Sequence, residues 1–187
     1  LFNDRDGDDV VGVSLDVNSL ERETFDRPIS AVSPAGGYAL SLTYGRLQRL
    51  RKVVGYTGLE DPNPDEAAPD NDGVFLLDLD TGESKLVVSM ADINPYLVKR
   101  YPEMNGAHMW FNHTVFNKDG SRFFFLARAK GTKQGQGRRT AMFSVNTDGS
   151  GIWEVVPFGK RVSHFDWRNN EEIVVTALLN EDDEKLT

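Results

Sequence analysis

Three histidines, a few arginines and one tyrosine are the side chains of this sequence best suited to chemistry near neutral pH. His108, His113 and His164 are its only histidines. An imidazole titrates near 6.5, so it can act as general base, general acid or, when neutral, as a nitrogen ligand to a divalent metal. His113 and His164 lie 51 residues apart and open two similar segments, His113-Thr114-Val115-Phe116 and His164-Phe165-Asp166-Trp167. Arginine adds a planar fork that matches a carboxylate with two parallel hydrogen bonds. Arg46, Arg49, Arg51 and Lys52 form one basic run, and Lys130, Lys133, Arg138 and Arg139 form another, with Arg128 just ahead of the second. Tyr44 precedes the first run. Such runs are ordinarily solvated loops, but two of them in an acidic chain can hold an anion.

Positioning these groups requires elements that bring distant segments to one place, and a repeated hairpin supplies them. Ile29-Ser30-Ala31-Val32 turns at Ser33-Pro34-Ala35-Gly36-Gly37 into Tyr38-Ala39-Leu40-Ser41-Leu42. The two histidine segments turn at Asn117-Lys118-Asp119-Gly120 and Arg168-Asn169-Asn170-Glu171 into second apolar strands. Asn, Asp and Gly recur there because tight turns need positive φ or a side chain that bonds the backbone. A second hairpin type alternates with the first, turning at Asp80-Thr81-Gly82-Glu83 and at Asn146-Thr147-Asp148-Gly149, with an earlier copy across 10–25.

Two alternating hairpins make a four-stranded antiparallel unit, the blade of a β-propeller. The expected fold is therefore all-β: a partial β-propeller running through 1–187. Residues 1–26 would be an outer half blade, 27–89 a full blade with a long insertion at 44–72, 108–157 a second full blade, and 161–179 an inner half blade. In that frame His113 and His164 begin neighbouring innermost strands and His108 sits just ahead. The long connections 44–72, 90–110 and 128–139 leave from one rim, where binding and catalysis usually reside. Leu47, Leu50, Val53 and Val54 predict a helical turn or two, and 91–100 a short helix interrupted by Pro95.

Composition narrows the function. With 21 basic and 29 acidic side chains the net charge is −8, which argues against nucleic-acid binding through phosphates. No apolar run reaches the roughly 18 residues a membrane span requires. The absence of cysteine excludes thiolate metal sites in this stretch. Asn3-Asp4-Arg5-Asp6-Gly7-Asp8-Asp9 lacks the distal Glu and the spacing of a calcium loop and reads as a polar turn. A glycoside hydrolase needs two facing carboxylates, and Asp166 is the one acid on these inner strands. Trp110, near the rim, is placed to stack on a sugar ring, while Phe123, Phe124, Phe125, Trp153 and Trp167 read as packing.

His108-Met109-Trp110-Phe111-Asn112-His113, Asn117-Lys118-Asp119-Gly120-Ser121-Arg122-Phe123 and Val162-Ser163-His164-Phe165-Asp166-Trp167 resemble the TolB-like bacterial propellers. Within that group they are most similar to the propeller polysaccharide lyases of the oligogalacturonate and ulvan lyase types. Those propellers have seven blades, so the resemblance implies an internal portion of a longer ring whose other blades are its first partners. It also implies β-elimination on a uronic-acid glycan, with an anionic oligo- or polysaccharide as ligand. Arg128 with Arg138 or Arg139 would neutralise the carboxylate, His113 would be the base, and Tyr44 or His164 the acid. Arg46, Trp110 and Asn112 would join the substrate contacts. In a metal-assisted version His108, His113 and His164 would instead ligate a divalent ion such as Mn, Zn or Ca. The alternative from another class is a noncatalytic propeller whose rim binds a protein or a glycan.

Overall fold

A computed structural model describes residues 1–131 and 137–178. Lys133 and the last residue of the 161–179 segment lie outside them. Strands β1 (Phe2–Asp6), β2 (Asp9–Leu15) and β3 (Arg22–Phe25) form a first antiparallel sheet. The second sheet is an antiparallel meander of β4 (Ala31–Val32), β5 (Tyr38–Leu42), β6 (Gly73–Asp78) and β7 (Ser84–Ser89), with helix α1 (Tyr44–Leu50) in the β5–β6 connection. Helix α2 (Met90–Arg100) leads to the third sheet, β8 (His108–Phe116), β9 (Arg122–Lys130), β10 (Arg138–Asn146) and β11 (Trp153–Val156). A hairpin of β12 (Arg161–Trp167) and β13 (Ile173–Leu178) follows. The protein is mostly β, built on four-stranded antiparallel sheets.

The hairpins form where side chains can replace backbone partners. In the β8–β9 turn Asn117 Oδ1 accepts from the Arg122 N–H at 3.0 Å and Nδ2 donates to Ser121 Oγ at 3.1 Å. Gly120 takes a φ of 73° there, a conformation that costs a residue with a Cβ. In the β12–β13 turn Asn169 Oδ1 accepts from the N–H groups of Glu171 and Glu172, both at 2.8 Å. Helix α2 starts on a capping box: Ser89 Oγ accepts from Asp92 N–H at 3.1 Å and Asp92 Oδ2 accepts from Ser89 N–H at 2.8 Å.

The sheets stack face to face, and β9 shows why. Phe123, Phe125, Ala127 and Ala129 join a core with Leu40, Val74, Ile93 and Leu97, whereas Phe124 and Leu126 join a second cluster with Met142 and Trp167. A strand apolar on both faces has a layer on each side. Polar stitches link neighbouring sheets: Ser30 Oγ, just ahead of β4, lies 2.7 Å from Thr114 Oγ1, and Trp167 Nε1 donates to the Val115 carbonyl at 3.0 Å. The connections 43–72 and 90–107 meet where the Ala91 N–H donates to the Pro69 carbonyl at 3.2 Å.

Several boundaries differ from the expectation. The first sheet has three strands, because the polar run Asn3–Asp6 is strand rather than turn. Its backbone pairs with β2 from Phe2↔Val13 to Asp6↔Asp9, and Gly7, with a φ of 61°, makes the turn. Asn3 further anchors the strand, with Nδ2 donating to the Ile29 carbonyl at 2.8 Å and Oδ1 accepting from Ile29 N–H at 2.6 Å. The β9–β10 connection is shorter than expected, since the strands pair out to Arg138↔Lys130. Strands β8 and β12 begin earlier, at His108 and Arg161, so His113 and His164 lie within their strands rather than opening them.

Candidate functional site

Arg128 is the hub of the group that the structure brings together. It lies near the loop end of β9, between Trp110 of β8 and Thr140 of β10 in the strand register. Burial first, then the like charges of Arg138 and Arg51, bring its guanidinium down to about 10, so it remains a cation at neutral pH. Its buried Nε–H has no acceptor. Among the described residues no carboxylate pairs with Arg128, Arg138 or Arg51. Arg51 ends α1 and comes from the neighbouring sheet. A guanidinium repelled by two others and without a carboxylate partner among the described residues favours an anion.

His113 belongs to the same group. His113 keeps part of its surface in solvent; partial desolvation, and then the charge of Arg128, pull its imidazole below 6.5, the direction that favours the neutral, proton-accepting form at physiological pH. Its ring meets Phe165 of β12 edge-on, with centroids 5.4 Å apart. The next residue back along β12 is His164, whose Nδ1 lies 2.8 Å from Ser163 Oγ. Both histidines are exposed and both have left-handed backbones, with φ of 55° at His113 and 47° at His164. Each sits at a bulge, between Asn112 and Val115 on β8 and between Ser163 and Phe165 on β12. A left-handed non-glycine residue costs about 1–2 kcal/mol, and such strain clusters at functional sites. The same strain at equivalent places on neighbouring sheets is the signal that hydrophobic patterning does not carry.

Trp110 and Asn112 flank this group but are buried, at 2% and 4% exposure. Trp110 Nε1 and both amide atoms of Asn112 lack partners. Buried polar groups are rarely left so, and unused donors beside Arg128 add hydrogen-bonding capacity to its surroundings. Burial also removes the ring face that Trp110 was expected to stack on a sugar.

Other expected residues stand elsewhere. Arg46 is 1% exposed. Its Nε donates to the Met109 carbonyl at 2.7 Å, Nη1 to Asn63 O at 3.1 Å and Asp61 Oδ2 at 3.4 Å, and Nη2 to Glu66 O at 2.9 Å and Ala67 O at 2.8 Å. A guanidinium has five N–H donors, so none is left for substrate and Arg46 locks the 43–72 connection onto β8. Arg139 alternates with Arg138 along β10 and lies over the Tyr101 ring, 4.7 Å from its centroid. Tyr44 packs on Tyr56, ring centroids 4.8 Å apart. It opens α1 and Arg51 follows its end, about 10 Å away at 1.5 Å per residue.

His108 also faces a different group: Arg49 Nη2 donates to its Nδ1 at 3.1 Å, and Arg49 Nε donates to Asp61 Oδ2 at 2.7 Å. His108 and His113 are five positions apart on one strand, about 16 Å at 3.3 Å per residue. The structure thus sets His108 beside Arg49 and Asp61, and His113 at the β8 bulge against Phe165. Among the described residues no group of three or more His, Asp or Glu side chains converges.

Arg51 and Arg27 were missed as site residues. Arg27 precedes Pro28 in the β3–β4 connection, and that position was the available clue. Among the described residues no helix is long and apolar enough to cross a membrane. Comparison with protein-family models, curated proteins and solved structures found no match to this chain.

Proposed function

We propose that the four sheets are successive blades of a β-propeller and that the Arg128 group binds an anionic, uronate-bearing glycan and cleaves it by β-elimination. The single observation behind this reading is the partly buried Arg128 guanidinium, without a carboxylate partner among the described residues, on the same sheet as the strained bulge of β8 that carries His113. Arg128, with Arg138 and Arg51, would take the sugar carboxylate and acidify the adjacent C–H. The His113 nitrogen would remove that proton. As the carbon–carbon double bond forms, the C–O bond to the leaving sugar breaks, and His164 would protonate the departing oxygen. General acid and base groups of this kind contribute about 100- to 10,000-fold each.

The test is ultraviolet absorbance of the unsaturated product when the protein is mixed with pectic and ulvan-type polymers. Activity lost in His113→Ala and Arg128→Gln supports the reading. A flat trace across substrates, with and without divalent metals, removes the lyase activity and leaves a noncatalytic glycan- or protein-binding rim. One observation favours that second reading: Tyr44, the other candidate acid, stands at the far end of α1 from the Arg128 group.

A further inference from the structure

Between the first and second sheets, on the long-loop rim, lies a cavity of about 680 Å³ that the Arg128 group does not reach. Its wall comes from the start of β2, the β3–β4 connection, the β5–α1 junction and residues 58–62. Its size falls within the range of about 300–1,000 Å³ typical of small-molecule sites.

Arg27 is the central cation on this wall. Its guanidinium lies 3.4 Å from the centroid of the Phe75 ring, which fixes its plane. Nε donates to Ser41 Oγ and Nη2 to Thr43 Oγ1, both at 3.3 Å. Thr43 in turn donates to Asp72 Oδ1 at 2.7 Å, and Asp72 is 1% exposed with Oδ2 unpartnered. The buried carboxylate thereby turns the threonine lone pairs toward Arg27 and sets the guanidinium in place. Two of its five N–H groups are engaged, and among the described residues no carboxylate pairs with it.

Tyr44 lines the same cavity. Burial, with Tyr56 adding, pushes its phenol up to about 12, so it remains a hydrogen-bond donor. Asp8, Asp26 and Glu60 also line the cavity, exposed and without ion-pair partners among the described residues. Leu42 and Leu59 supply apolar wall. A purely anionic ligand would be repelled by the carboxylates, and a purely cationic one by Arg27. A ligand carrying both charges satisfies both.

We propose that this cleft is a second ligand site for a zwitterionic small molecule of the amino-acid or dipeptide type. Its carboxylate sits on the Arg27 guanidinium and the Tyr44 hydroxyl, and its ammonium lies among Asp8, Asp26 and Glu60.

The experiment is a titration of the isotope-labelled full chain with the dipeptide leucyl-alanine, its N-acetylated form and its C-terminal amide. The amide resonances of Gly45 and Gly58, both on the cavity wall, should shift saturably with the dipeptide. Each blocked form should bind about tenfold more weakly or worse, the loss expected for one charge-assisted hydrogen-bonding partner. Arg27→Gln should abolish the response. Because Arg27 also packs on Phe75, the exposed pair Asp26→Asn with Glu60→Gln is the second test: it should weaken the dipeptide and leave the N-acetylated form unchanged. Arg128→Gln should leave dipeptide binding unaltered. No shift at Gly45 and Gly58, or equal binding of all three compounds, or an effect of the carboxylate variants on the acetylated form as large as on the dipeptide, would overturn the proposal.

Discussion

Arg46→Met should cripple folding rather than ligand binding. The side chain of Arg46 is 1% exposed, as is that of its partner Asp61. Its firm bonds go to four backbone carbonyls, those of Met109, Asn63, Glu66 and Ala67, at 2.7, 3.1, 2.9 and 2.8 Å. Hydrogen bonds to a charged group contribute about 1.5–3 kcal/mol each, which sets a ceiling of about 6–12 kcal/mol for the four. Arg49 still holds Asp61 at 2.7 Å, and water can reach some of the loop carbonyls once the guanidinium is gone. The expected loss is therefore about 3–5 kcal/mol, the size seen on breaking a buried ion pair. That is a large fraction of the roughly 5–15 kcal/mol that keeps a domain folded. With a urea dependence of about 2 kcal/mol per M, the midpoint should fall by about 2 M. Arg46→Lys should lose nearly as much, because an ammonium has three donors and no fork. Equilibrium urea unfolding measures both. A loss below about 1 kcal/mol, or a variant that is stable yet binds glycan poorly, would refute the assignment of Arg46 to the fold.

The remaining expectations concern the histidines and the packing of the loops. Nuclear magnetic resonance titration should place the His113 pKa below 6.5, and Arg128→Gln should raise it by removing a like charge while burial remains. The folded state binds this proton less readily than the unfolded chain, so the His113 contribution is present above 6.5 and is lost as pH falls through the folded value. His113→Gly should abolish elimination yet keep stability within about 1 kcal/mol of the parent or above it, because glycine relieves the left-handed strain. His113→Val should cost more, as a β-branched residue fits that φ poorly, and thermal unfolding separates the two. Gly45→Ala should destabilise by about 1–3 kcal/mol or more in the same assay, since the added methyl would fall on the Glu60 carbonyl oxygen.

Much of the architecture was legible because hairpin chemistry is local. Asn117, Asp119 and Gly120 announce one turn, Asp78 to Gly82 another, and their alternation marks out the two four-stranded sheets. β1 was not legible: its polar side chains hide a strand held by backbone pairing and by Asn3. The candidate site was legible in part. Arg128, Arg138 and His113 stand on adjacent strands of one sheet, with Arg128 opposite Trp110 and Thr140 and His113 in the bulge further along β8. Arg46 and Arg51 exchanged fates for a reason no short window contains, the folding of residues 61–67 back over α1. Tyr44 lies away from Arg128 because a seven-residue helix separates it from Arg51. The left-handed backbones of His113 and His164 come from bulges, and a bulge is a property of two paired strands together.

The proposed chemistry requires Arg128 to anchor a uronate beside His113. Adding trigalacturonate to the labelled protein while following the indole and imidazole resonances tests it most directly. Trp110 and His113 should shift saturably, Trp153, which is 69% exposed at a distance from Arg128 in sequence register, should not, and Arg128→Gln should erase the response. Unchanged Trp110 and His113 signals, or the same shifts in Arg128→Gln, would contradict it.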